Sequence, residues 1–214
     1  MYVLSRSHDG QAMRRSKEDA EQTRIAILDA AEQMFCEAGI SAATLEKISR
    51  RAGITRGAIY WHFKDKLDLL RALQKRCESP QKMMIRMAAQ QGHDDPLGLL
   101  EQAAEDVLLS FEQNENQQRI FIILNAHSAD PESQAWMQEM NADMFLTLTA
   151  LLDQAEQQGG LAPDFSPTET AGILMATMNG LLSEWLRSGK CFSLSGLGNR
   201  FLRKQMTLFR KQLI

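Results

Sequence analysis

Three cysteines in 214 residues, Cys36, Cys77 and Cys191, are odd in number and far apart. That spacing supports neither a disulfide framework nor a C-x-x-C zinc site. They read as small apolar fillers of a protein kept in a reducing compartment, with a thiol sensor as the rival reading. His8, His62, His93 and His127 fall into no H-x-x-x-H spacing, and the chain has neither a G-x-S-x-G elbow nor a phosphate-binding loop. The reading is therefore of a non-enzyme with no metal and no cofactor. Long apolar runs are missing as well. The most apolar stretch, Ala171 to Leu186, is interrupted by Asn179, Ser183 and Glu184, short of the ~20 residues a membrane span needs. The N-terminal MYVLSRSHDG has no unbroken apolar core of the kind a signal peptide carries. The expectation is a cytoplasmic protein with no membrane partner.

Alternating strand patterns are nearly absent, and apolar residues recur instead at three and four positions. Ile25, Leu28, Ala31 and Phe35 predict a first helix over about 17–38, stopped by Gly39. Thr44 caps a short second helix to Ala52, and Thr55 caps a third over 56–62. Ile54 before that cap and Ile59 inside it form a hydrophobic staple. A fourth helix starts near Asp65 and meets a breaker at Pro80. Asp95-Pro96 opens the next, to about Gln113, and another spans about 117–127. Asp130-Pro131 opens a long one closed by Gly159-Gly160. Ser166-Pro-Thr-Glu169 has the spelling of a capping box for a helix to Ser188, and a last one covers about 197–213. The fold class is all-α, about nine helices.

Charge divides the chain. Residues 1–76 carry 14 Lys/Arg against 10 Asp/Glu, residues 77–190 carry 5 against 17, and residues 191–214 carry 5 against none. A basic module on an acidic body survives inside a net charge of -3. The boundaries read as a basic flexible arm over 1–16, a DNA-binding module over 17–66 and a body over 67–214.

Within the basic module, a short helix, a turn beginning at Gly53 and a second short helix make a helix-turn-helix. In such units the second helix enters the major groove and its first residues meet base edges. Thr55, Arg56 and Gly57 stand where free backbone N–H groups and the positive helix end favour phosphate. Arg56 offers a fork for guanine or phosphate. Tyr60-Trp61-His62-Phe63 puts four rings in a row, and one helix face cannot bury them all. Ile59 and Phe63, four apart, face inward. Tyr60, Trp61 and His62 face outward as donors to the DNA backbone, and Thr44 and Lys66 complete the candidate interface. Structural rivals stay open: Trp61 as core, His62 as a cap, Arg14, Arg15 and Lys17 as a plain basic leader.

TLEKI (Thr44 to Ile48), AGITRGAIYWHFKDK (Ala52 to Lys66) and RIAILDAAEQMFCEAG (Arg24 to Gly39) closely resemble the DNA-binding domain of TetR-family transcriptional regulators, over about residues 20–70. The spelling TRGAIYWHFKDK is most similar to the AcrR-type branch, repressors of multidrug efflux genes. DPLGLLEQA (Asp95 to Ala103) and NGLLSEWL (Asn179 to Leu186) resemble that branch more loosely. The resemblance implies a homodimer that binds a pseudo-palindromic operator on double-stranded DNA and is released by a hydrophobic small molecule. A regulator that activates, or that answers a protein partner or thiol oxidation, is the alternative.

In the body, Gly172, Ala176 and Gly180 recur every four residues and let another helix approach closely. With Phe201, Met206 and Phe209 on the last helix they form the expected dimer interface. By resemblance to efflux-gene repressors, Val107, Phe121, Asn125, Met175, Met178 and Asn179 line the ligand cavity. The methionines are adaptable wall material. Asn125 and Asn179 are isolated polar groups on otherwise apolar faces.

Overall fold

The computed structural model describes residues 7–126 and 130–212, with side chains described from residue 17 onward. Ten α-helices and one π-helical turn account for most of these residues. They are α1 (Ser7–Ala42), α2 (Leu45–Arg51), α3 (Arg56–His62), α4 (Lys66–Arg76) and α5 (Pro80–Gln91). Then follow α6 (Pro96–Gln113), α7 (Glu115–Asn125), α8 (Pro131–Gln157), α9 (Pro167–Arg187), the π turn (Leu194–Gly198) and α10 (Asn199–Phe209). The all-α expectation holds among the described residues.

Three departures have local causes. The first helix begins at Ser7, so the expected arm over 1–16 is helical from there; the side chains of Arg14 and Arg15 lie outside the described residues. Gly39, with φ of 78°, breaks the helical geometry where the glycine stop was expected. Pro80 does not kink a continuing helix. Ser79 accepts from Lys82 N and Pro80 takes the first helical position, so a separate α5 starts there, and nine expected helices become ten. The last helix stops at Phe209, four residues early. Arg210 pairs in extended form with Leu161, and Ala162 N donates to Phe209 O at 2.8 Å. The expected end, Leu213, lies outside the described residues, as does His127 at the expected end of α7.

Two compact units divide the chain. The first runs up to Arg76 and takes in the stretch from Arg119 to Gln134; the second holds Cys77–Gln118 and Ala135 onward. The first unit thus keeps α4, beyond the boundary expected at Lys66. The reason is apolar: Leu69, Leu70 and Leu73 are fully buried and α4 packs on α1, as α2 packs on α1 and α3. Arg51 reinforces this with a two-pronged pair to Glu37 at 2.6 Å, and Arg76 reaches Asp29 at 2.6 Å.

In the second unit α6 packs on α5, α10 and the π turn. Its core includes Leu97, Leu100, Leu151, Leu152, Leu174, Met206 and Phe209, with Phe165 edge-on to Phe209 at 5.0 Å. The capping box forms as spelled: Ser166 Oγ accepts from Glu169 N and the Glu169 carboxylate accepts from Ser166 N. Glu112 holds the π turn by accepting from Leu194 N and Ser195 N. No described helix is long and apolar enough to cross a membrane.

Candidate nucleic-acid interface

The geometry of α3 starts with its anchor. Ile59 and Phe63 are fully buried, and the Arg24 guanidinium lies 4.5 Å above the Phe63 ring. That cation–π lid covers the ring from the α1 side. Burying two residues four apart fixes the roll of a seven-residue helix, so what lies between them must face out. Trp61 is 90% exposed and Tyr60 50%. His62 is half-buried, its ring tilted 41° against Phe63 at 6.5 Å. The four rings divide as the spacing predicted.

Both threonines serve first as caps. Thr44 Oγ1 accepts from Lys47 N and Thr55 Oγ1 from Ala58 N, each at 3.2 Å. A cap uses the oxygen as acceptor, so the hydroxyl proton remains available to an external acceptor. The turn between the helices needs Gly53: its φ of 69° lies in the left-handed region that favours glycine. Gly57 is exposed at the start of α3, and a Cβ there would meet nothing within 4 Å. Arg56 is exposed and makes no ion pair among the described residues, as does Lys64. Arg50, Arg51 and Arg76 are instead paired with Glu46, Glu37 and Asp29. Arg56 and Lys64 thus place positive charge without an ion pair near each end of α3.

Lys66, expected on phosphate, is half-buried, and its ammonium donates to Ile40 O at 3.3 Å. Sequence reasoning also missed the ion pair between Arg119 and buried Glu32. A signal existed on one side: Glu32 sits with Leu28 and Phe35 on the apolar stripe of α1. Its partner is 87 residues away and carries no local cue. Beside it, burial and Glu32 push the Cys36 thiol up, away from the reactive thiolate.

The candidate ligand residues are divided between the units. Phe121 and Asn125 belong to the first; Val107, Met175, Met178 and Asn179 belong to the second. Asn125, expected in a cavity wall, is exposed at the end of α7 and its amide donates to Phe121 O at 2.9 Å. Asn179 is exposed too; Val107, Met175 and Met178 are half-buried. None of the six lines the groove of about 330 Å³ between α5 and α8, which is edged by Arg86, Asp143 and Leu146.

The dimer expectation needs a correction. Met206 and Phe209 are buried in the core of their own unit, because the 202–206–209 face of α10 turns inward. The outward edge carries Phe201 (52% exposed) and Leu208 (65%). On α9, Ala176 and Gly180 are exposed and Gly172 half-buried, with Phe145 3.8 Å from a Cβ built there.

A profile of bacterial regulatory proteins of the tetR family matches residues 27–73, the segment just described. The chain is 41% identical over 194 residues to the HTH-type transcriptional repressor BepR of Brucella suis, covering 89% of this chain and 93% of that protein. The chain belongs to the TetR family. It is also 32% identical to the HTH-type transcriptional regulator TtgR of Pseudomonas putida, over 81% of this chain and 85% of that protein. NalD, the secondary repressor of the MexAB-OprM multidrug efflux pump in Pseudomonas aeruginosa, superimposes with a TM-score of 0.77 at 29% identity, over 92% of this chain and 100% of that one. The SmeT–triclosan complex gives 0.79 at 28% identity, over 89% and 93%. SmeT is the repressor of the Stenotrophomonas maltophilia multidrug efflux pump SmeDEF. TetR-family proteins are regulators, so the absence of a catalytic constellation in the sequence agrees with membership.

Proposed function

We propose that this chain is a homodimeric repressor that holds an operator through α2 and α3, governs a multidrug efflux or detoxification gene, and lets go when a hydrophobic small molecule binds its second unit. The observation that carries the DNA half is the face of α3: Trp61 and Tyr60 exposed on a helix whose roll is fixed by buried Ile59 and Phe63. A tryptophan left almost wholly in water has no folding role, and its indole N–H suits a phosphate oxygen. Arg56 and Gly57 present the charge and the close backbone approach at the same helix start. Thr44, Thr55, Tyr60 and His62 complete the contact surface.

Ligand release rests on the company the chain keeps, SmeT having been solved with triclosan. Val107, Met175 and Met178 are the half-buried apolar groups best placed to adapt to such a guest. The dimer reading rests on Phe201, Leu208 and Ile173, large apolar side chains left exposed beside Ala176 and Gly180. Two recognition helices then meet half-sites about 34–36 Å apart.

Fluorescence anisotropy on duplexes tiling the DNA upstream of its own gene tests the whole reading. A site bound tightly and released by triclosan or another lipophilic compound is expected. Binding no tighter than to random duplex overturns the operator reading; a tight site indifferent to every lipophilic compound overturns the release.

A further inference from the structure

Among the described residues, nothing answers the charge of Arg24. It is half-buried on α1, yet its guanidinium makes neither an ion pair nor a hydrogen bond there. Other arginines of the same unit differ: Arg51 is taken by Glu37, Arg76 by Asp29 and Arg119 by Glu32. What Arg24 does touch is the Phe63 ring, 4.5 Å from its guanidinium carbon.

That contact holds the group without using it up. A stacked guanidinium spends its face on the ring, while its N–H donors lie in its plane and stay free to donate. Holding a long side chain in place beforehand also spares the ordering cost of a later contact. The recognition helix offers no acceptor of its own, since the chain holds neither Asp nor Glu from Lys47 to Lys64. Phe63 is the C-terminal cap of α3, and Lys64 beside it is exposed and makes no ion pair among the described residues. A helix with its side chains is about 10–12 Å across and the major groove about 12 Å wide, so groups flanking a seated helix face the sugar–phosphate walls. Arg24 flanks α3 at the end opposite Arg56.

We propose that Arg24 reaches from α1 to a backbone phosphate beside the C-terminal end of α3, with Phe63 as the residue that positions it. The phosphate oxygen accepts from the guanidinium edge while the ring keeps the face. The Phe63 ring thereby has two roles, anchoring α3 in its module and serving as the platform for a cation carried by another helix. This rests on the operator reading above and adds a contact from outside the helix-turn-helix.

The probe is the tightest of the duplexes tiling the DNA upstream of the gene, beside a random duplex of equal length, read by anisotropy at several salt concentrations. Arg24→Gln is expected to bind both at least about 10-fold more weakly and to lower the slope of log K on log salt by about one per chain bound, since a phosphate contact carries charge and no sequence information. Arg24→Lys keeps the charge and is expected to keep the slope while losing part of the affinity, because an ammonium neither stacks nor forks as a guanidinium does. Phe63→Leu should weaken binding when Arg24 is present and have no further effect in Arg24→Gln. Neutral methylphosphonate at single positions locates the contact: one position in each half-site should weaken wild type and leave Arg24→Gln unmoved. Affinity of Arg24→Gln equal to wild type overturns the proposal, and so does a loss with an unchanged slope, the mark of a guanidinium that only steadies the module. Equal losses from Phe63→Leu in the two backgrounds overturn the positioning role. A wild-type chain that binds no duplex better than random removes the operator reading as well, whereas a tight wild-type site with an unaffected Arg24→Gln removes this contact alone. Where Arg24→Gln does not fold, wild type decides. Its Arg24 guanidinium N–H resonances, assigned against Arg24→Lys, are expected to shift when the duplex is added, and their constancy overturns the contact.

Discussion

Replacing Ile59 and Trp61 by alanine, two residues apart on α3, separates fold from DNA contact. Ile59 is fully buried, so Ile59→Ala removes its transfer energy and leaves a cavity, for a cost of about 2–5 kcal/mol. Trp61 is 90% exposed, so Trp61→Ala takes almost no area out of a core and should shift stability by less than about 0.5 kcal/mol. Binding reverses the order. If the indole N–H reaches a phosphate oxygen, its loss removes a hydrogen bond to a charged acceptor, about 1.5–3 kcal/mol, or roughly 10- to 100-fold in Kd. Because tryptophan is neutral, the slope of log K on log salt should stay as in wild type, whereas Arg56→Ala should lower it by about one. Urea unfolding followed at 222 nm, at fixed protein concentration, gives the first pair of numbers; anisotropy on the operator at several salt concentrations gives the second. The reasoning fails if Trp61→Ala unfolds as early as Ile59→Ala, or if it binds the operator as tightly as wild type.

Gly57→Ala should raise stability, by up to about 1 kcal/mol, since a Cβ there meets nothing and alanine favours the helix. It should at the same time weaken operator binding by keeping the backbone from the phosphate; unfolding and anisotropy on one preparation show whether the two move in opposite directions. Arg119→Leu leaves Glu32 buried without its cation and should cost about 3 kcal/mol, the low end for a broken buried pair because the Arg119 side chain is 39% exposed. The double variant with Glu32→Leu should recover most of that loss in the same urea experiment, and failure to recover would mean the pair is not what stabilises the contact. The hydrogen bond from Arg203 holds the Glu105 carboxyl below the usual glutamate value of 4.5. A carboxylate lowered in the folded state stabilises it above that value and loses the contribution as pH falls through the lowered one. Glu105→Gln should therefore be less stable than wild type near neutral pH and converge with it in acid, as chemical melts across the range would show.

Much of the first unit was legible because its cues are local. A cap and the groups it satisfies lie within three residues, which is why Thr44 and Thr55 take their places. The inward roll of α3 follows from the spacing of Ile59 and Phe63 alone. Lys66 reads as a phosphate contact because it closely follows a recognition helix rich in phosphate donors. The carbonyl that accepts from it, Ile40 O, lies in the last turn of α1, just past the break at Gly39. That a side chain 26 positions away reaches it is tertiary and has no signature in the local pattern.

The body was harder for a reason visible on α10. Phe201, Met206 and Phe209 are equally apolar letters, and a periodicity finds a stripe without saying which neighbour covers it. With period 3.6, Leu202, Met206 and Phe209 make one stripe and Phe201, Gln205 and Leu208 the adjacent one. The first is closed by the chain's own Leu100, Leu161 and Phe165, while the second is left open. Choosing the more apolar stripe picks the one that the chain itself buries. Gln205 lowers the apparent hydrophobicity of the outer stripe, which is why periodicity alone ranks that stripe second although its Phe201 and Leu208 are the side chains left exposed.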